Sequence, residues 1–200
     1  MTSVVLMNKL LMVLNSDAAR KIDFIVGPYH VDAGGFSQVA AAIVEGWVGF
    51  KAIDVTVGSL TPGAGAEYHS DSNTFIFPNE NFGSTPVEQG LMLHECVHAY
   101  NDIEGFLFKP TGIGFYSTRP ETEAAAYISY ALFMTYAYPG QGYGTQPYYV
   151  KAFQIANSIK NRPGASVPDG DALDIINMIL NDPVYQSLGY TIAQPYGDGV

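Results

Sequence analysis

The residues whose types and spacing carry the most chemistry are His94-Glu95-Cys96-Val97-His98. Positions i and i+4 of an α-helix share one face, so His94 and His98 can present two imidazoles to a single metal ion. Glu95 lies one position round, where its carboxylate can reach a water on that metal without being a ligand itself. This set predicts a Zn2+ site with Glu95 as the general base of a metal-assisted hydrolysis. The plainer reading of the same residues is a helix with two core-facing histidines and a solvated glutamate. The complete pattern in a helical context favours the metal. Cys96 invites a nucleophile reading, but on this apolar helix the chain's single cysteine is expected to pack in the core.

Two protein ligands leave a zinc site incomplete, since catalytic sites commonly use three and a water. Three glutamates are candidates. Glu123 opens Glu123-Ala124-Ala125-Ala126-Tyr127, where small side chains let one helix pack closely on another. Glu121, two residues earlier, is the second candidate, and it is also placed to cap its own helix. Glu104 follows His98 by six residues, with Asn101 between them as a residue able to take the left-handed conformation that would turn the chain back. Glu123 leads the three.

These residues need helices to hold them. Thr85-Pro86-Val87-Glu88 reads as a capping box with proline at the first helical position, predicting a helix to about Asp102. Thr118-Arg119-Pro120-Glu121 reads as a second box, opening a helix to about Tyr136. A Gly-rich loop follows at 139–147, and helical patterns return at 148–160 and 171–180. Earlier in the chain, Leu6, Leu10, Val13 and Leu14 suit an amphipathic helix, and Ile22, Phe24 and Val26 a short strand. A Gly-containing loop from Asp32 to Gly35 leads to a second helix with Val39, Ile43 and Trp47 on one face. Ile53, Val55 and Val57 mark another strand, and Ala66–Tyr68 with Thr74–Phe77 a hairpin. Strands first and helices afterwards predict an α+β fold in one domain over 1–200. Its expected parts are a small mixed sheet with helices and an edge hairpin in 1–83, then a mainly helical part, 84–200, carrying the active-site helix.

Composition narrows the classes. With 48% hydrophobic and 14% charged residues the chain can bury a core and is not a disordered one. A net charge of −10 without a basic patch argues against a nucleic-acid partner. One cysteine excludes an intramolecular disulfide. The first 14 residues lack a basic leading region, and no small-residue cleavage site follows them. No apolar run approaches the roughly 20 residues of a membrane span. The expectation is a protein without a membrane span, cytoplasmic or exported without a recognisable signal peptide.

His94-Glu95-Cys96-Val97-His98 followed by Glu121-Thr122-Glu123-Ala124-Ala125-Ala126-Tyr127 resembles the gluzincin branch of the zincin metallopeptidases, over about 40 residues. In that group a glutamate from a downstream helix completes a His/His/Glu zinc site, which implies a zinc peptidase acting on a peptide or protein substrate. The extended metzincin motif would need Gly and His where this chain has Asn101 and Glu104. Many gluzincins continue Glu-x-x-Ala-Asp; the last position here is Ala125 counted from Glu121, or Tyr127 counted from Glu123, so the supporting carboxylate is missing there. The resemblance also implies an edge strand that substrate extends, a place occupied in sequence by the 66–77 hairpin. An oxyanion donor would come from Tyr127, Tyr116, His69 or Arg119, with Tyr127 favoured because it lies one helical turn beyond Glu123. Two alternatives stay open: a zincin-fold binding or structural module without activity, and a toxin or effector domain of a longer polypeptide.

Overall fold

In the computed structural model, which describes residues 2–45, 52–108, 118–141 and 144–191 (backbone only at 106–108), the Ser3 hydroxyl accepts the Leu6 N–H and opens α1, Val4–Leu14. Leu6, Leu10, Val13 and Leu14 turn inward at helical spacing. The strands β1 (Asp23–Val26) and β2 (Tyr29–Asp32) form an antiparallel hairpin. It turns at Gly27, whose φ of +54° is a conformation glycine adopts without strain. Asp32 ends β2 and caps α2, Ala33–Val44, its Oδ1 accepting the Gly35 N–H at 2.8 Å. The segment 32–35, expected as a loop, is therefore a helical start, because the Asp32 side chain supplies the partner that the first turn lacks. Val39 and Ile43 are buried as expected; Trp47 lies outside the described residues.

The strands β3 (Asp54–Val57), β4 (Glu67–His69) and β5 (Thr74–Phe77) make a sheet in the order β3-β5-β4. β3 runs parallel to β5, and β4 pairs antiparallel with β5 at the edge. Next comes α3, Pro86–Phe108. Its capping box forms as the sequence suggests: the Glu88 N–H donates to Thr85 Oγ1, and Glu88 Oε2 accepts the Thr85 N–H at 2.9 Å. The helix runs past Asp102 because Asn101 stays helical, its Oδ1 accepting the buried Tyr29 hydroxyl at 2.8 Å. Then follow α4 (Arg119–Ala137), α5 (Pro147–Ile159), β6 (Ala165–Ser166), α6 (Asp169–Leu180) and α7 (Pro183–Ser187). Instead of one small sheet within 1–83 there are two three-stranded mixed sheets, and the first, β2-β1-β6, takes its third strand from the helical part of the chain. The fold is α+β and mostly helical, with seven α-helices among the described residues. None of these helices is long and apolar enough to cross a membrane.

The packing that matters most for chemistry is α3 against α4. Four cross-helix neighbours fix its direction. A Cβ on Gly90 would meet Tyr130, the His94 ring lies 4.6 Å from the Tyr127 ring, His98 faces Glu123, and Tyr29 bridges Asn101 to Thr122. Positions rise on α3 as they fall on α4, so the helices are antiparallel. Gly90 permits the close approach, since a Cβ there would stand 2.5 Å from Tyr130 Cε2. Ala124, Ala125 and Ala126 are fully buried beside this seam.

Candidate metal centre

Gly90, His94 and His98 succeed one another at four-residue intervals, which carries both imidazoles onto the face of α3 that meets α4. Glu123, in the second turn of α4, reaches them both. The Nε2 atoms of His94 and His98 are 3.2 Å apart. Glu123 Oε2 lies 3.3 Å from His94 Nε2, and Oε1 lies 3.5 Å from His98 Nε2. The three residues are buried, and a ligand atom from each lies within 4.8 Å of the other two. Ligand bonds of about 2.0–2.1 Å meeting at the tetrahedral angle would space the donors at roughly 3.3–3.4 Å. The 3.2 Å between the imidazole nitrogens is close to that spacing, each of them has a Glu123 oxygen within 3.5 Å, and two imidazoles with a carboxylate are a donor set suited to zinc.

Glu95 stands beside this trio, its Oε1 4.0 Å from His94 Nε2. Its other oxygen accepts the backbone N–H of Tyr68, in the middle of β4, at 2.9 Å. The edge strand β4 and the helix α3 are thus joined through Glu95. Tyr68 also donates its hydroxyl to Asp102 Oδ2 at 2.8 Å, one turn beyond His98.

Burial shapes the titration of the group. It pushes the Glu95 carboxyl up to about 8, because the charge of His94 and the Tyr68 N–H only partly offset the loss of water. Burial also opposes the charged form of Glu123, yet His98 and His94 outweigh it and hold that carboxyl at about 2. For His94, burial is overcome by the hydrogen bond and charge of Glu123, which raise its pKa. His98 falls to about 4, with burial the leading cause and the charges of His94 and Arg119 adding to it. One carboxylate thus holds two imidazoles, only one of which readily takes a proton.

The remaining candidates fall elsewhere. Glu121 is not in the cluster: its Oε2 accepts the Thr118 N–H at 2.8 Å and the Thr118 hydroxyl at 3.0 Å, closing the capping box of α4. As a candidate ligand it is corrected to a capping residue. Glu104 stays on α3 because the helix does not turn at Asn101, and its carboxyl lies near the Tyr100 hydroxyl rather than in the trio. Tyr127 lines the cavity beside the trio, its ring edge-on to that of His94 and its hydroxyl bonded to that of Tyr185. His69 pairs with Glu67 at 3.0 Å and His30 with Asp23 at 2.8 Å, both at exposed positions. Tyr116 lies outside the described residues. Cys96 is fully buried, and burial pushes its thiol well above the usual range, so it packs as a small apolar side chain.

Two residues escaped the sequence reading. The hydroxyls of Tyr190 and Tyr185 donate to Glu123 Oε1 at 2.9 Å and Oε2 at 3.2 Å. They steady the carboxylate of Glu123, a different task from that of the histidine-supporting aspartate, which has no counterpart at Ala125 or Tyr127. Neither residue has a spacing relation to α3 or α4, so nothing in the sequence could have signalled them. Above the trio opens a cavity of about 540 Å³. Its walls come from loop 61–66, β4, the start of α4, the Tyr148–Tyr149 pair and α7. Gln146, in the Gly-rich segment, also lines it, while 142–143 lie outside the described residues. Comparison with family models, curated proteins and solved structures gave no match.

Proposed function

We propose that the protein is a zinc-dependent peptidase of the zincin type, hydrolysing a peptide bond in the cleft above His94, His98 and Glu123. The observation that carries this reading is the convergence of His94, His98 and Glu123, each imidazole Nε2 within 3.5 Å of a Glu123 oxygen, with a second carboxylate, Glu95, beside them. Bracing β4 against α3 uses only Glu95 Oε2, on the Tyr68 N–H, and leaves Oε1 turned toward His94. The zinc, when bound, supplies Lewis acidity to the cleft and lowers the pKa of water held there. Glu95 takes the water proton and delivers it to the leaving amine. A cation beside Glu95 favours its carboxylate form against the burial that otherwise keeps it protonated. Tyr185 and Tyr190 fix the orientation of Glu123, and β4, at the edge of its sheet, forms part of the cavity wall along which an extended peptide would lie. Tyr127 retains a claim as oxyanion donor through its place in the cavity wall.

The test is metal content followed by turnover. Protein purified without added metal should carry about one zinc per chain. That zinc should be lost in His94→Ala, His98→Ala and Glu123→Ala, and kept in Glu121→Ala and Glu104→Ala. Peptide-library cleavage should vanish in Glu95→Gln with the zinc retained. Zinc bound with no cleavage of any peptide by the wild type would support a metal-braced binding module instead. Absence of zinc, even after its addition, would remove both readings.

A further inference from the structure

Among the described residues lining the cavity, Arg119 is the only lysine or arginine, against five carboxylates: Glu67, Asp71, Glu95, Glu123 and Asp182. A cation so placed would ordinarily pair with one of them. Among the described residues it has no ion pair and no hydrogen bond, and its buried Nε is without a partner. The carboxylates nearest the chemistry are committed elsewhere. Glu123 faces the two histidines and accepts from Tyr185 and Tyr190. Glu95 accepts from the Tyr68 backbone, Glu67 from Thr61 and His69, and Glu121, two residues along α4, from Thr118.

Arg119 is also held in place. It is the first residue of α4, and its guanidinium lies 5.6 Å from the centre of the Tyr190 ring, whose hydroxyl rests on Glu123. This cation–π contact helps hold the guanidinium without using any of its N–H donors. It is near enough to the histidines that its charge lowers the basicity of His98. Leaving a half-buried guanidinium unpaired costs free energy that the fold could have avoided with any neutral side chain. A bidentate partner from outside the chain accounts for it. The partner group that matches the fork is a carboxylate.

We propose that Arg119 binds a carboxylate of the substrate close to the bond being cut, making this cleft selective for peptides with an acidic group at that place. The carboxylate is either the substrate's own C-terminus or an Asp or Glu side chain beside the cleaved amide. The inference rests on the peptidase reading for the word substrate, but its test needs only binding.

Zinc-loaded Glu95→Gln protein, immobilised, is offered randomised hexapeptide pools in matched pairs, and retention is quantified by mass spectrometry. One pair differs in a free or amidated C-terminus, the other in Glu or Gln at a fixed internal position. At least one acidic pool should be retained about 10-fold or more above its neutral twin, the range expected of a bidentate charge-assisted pair. The pair that responds names the source of the carboxylate. In Arg119→Met on the same background the ratio should fall below about 3-fold, and in Arg119→Lys to an intermediate value. Zinc content and melting temperature measured alongside confirm that each variant is folded, as expected where no intramolecular hydrogen bond is lost. A ratio near one on the parent, or a ratio that survives Arg119→Met, overturns the proposal. Failure of the wild type to cleave peptides would count against the peptidase reading and leave these ratios readable.

Discussion

Replacing Glu95 by glutamine in the metal-free protein should stabilise it, and increasingly so as the pH rises. Glutamine keeps the shape and an amide oxygen for the Tyr68 N–H, but never ionises. The Glu95 carboxyl titrates at about 8 in the folded protein against an ordinary 4.5. Between those values the folded protein holds a proton that the unfolded chain has released. Stability is therefore fully present below about pH 4.5 and is lost as the pH climbs through about 8. At about 1.4 kcal/mol per pH unit the whole separation corresponds to roughly 4–5 kcal/mol. Water entering the cleft lowers this, and we expect about 2–4 kcal/mol between pH 5 and pH 8.5. For a chain of this size that is roughly 5–15 °C in melting temperature. The assay is thermal unfolding of wild type and Glu95→Gln in the presence of a chelator, at half-unit steps from pH 5 to pH 9. The two curves should nearly coincide at the acid end and diverge toward the alkaline end. A difference constant to within about 0.5 kcal/mol would refute the burial argument. Repeated with saturating zinc, the divergence should shrink, because a cation beside Glu95 stabilises its carboxylate.

Tyr190→Phe removes the hydroxyl that Glu123 accepts at 2.9 Å. Zinc affinity, measured by competition with a chelating dye, should fall about 10- to 100-fold with the fold retained. Gly90→Ala places a Cβ 2.5 Å from Tyr130. The gain of about 1 kcal/mol in helix propensity should be overridden by overpacking, leaving a net loss of roughly 1–2 kcal/mol in denaturant unfolding and weaker zinc binding as α3 and α4 are forced apart. Glu121→Ala should cost about 1 kcal/mol through the lost cap, with zinc content unchanged. A Glu121 variant that lost its zinc while remaining folded would restore it as a ligand.

Much of the candidate site was legible before any fold was known, because it depends on local geometry. The four-residue interval between His94 and His98 places them on one helical face wherever that helix goes, and the capping boxes at Thr85 and Thr118 mark the starts of α3 and α4 to within a residue. The strands with clean alternation, β1, β3 and β5, were equally visible. Of those that escaped, β6 has two residues and cannot show a period, whereas β2 is as long as β1 and its Tyr29 and Val31 do alternate inward behind the Gly27 turn. The choice of third ligand was a tertiary matter. Glu121 and Glu123 stand roughly 200° apart around α4. Which of them faces α3 is set by the antiparallel seam that Gly90 and the buried alanines allow, and which is spent on a cap is set by the chain entering the helix at Thr118. Tyr185 and Tyr190 belong wholly to the tertiary structure. They reach Glu123 from 62 and 67 residues further along the chain, and a contact across that distance leaves no period or spacing in the sequence. What the sequence determined by itself was the chemistry that one turn of helix can present; packing decided which carboxylate meets the two histidines, what steadies that carboxylate, and that Arg119 overlooks the cleft.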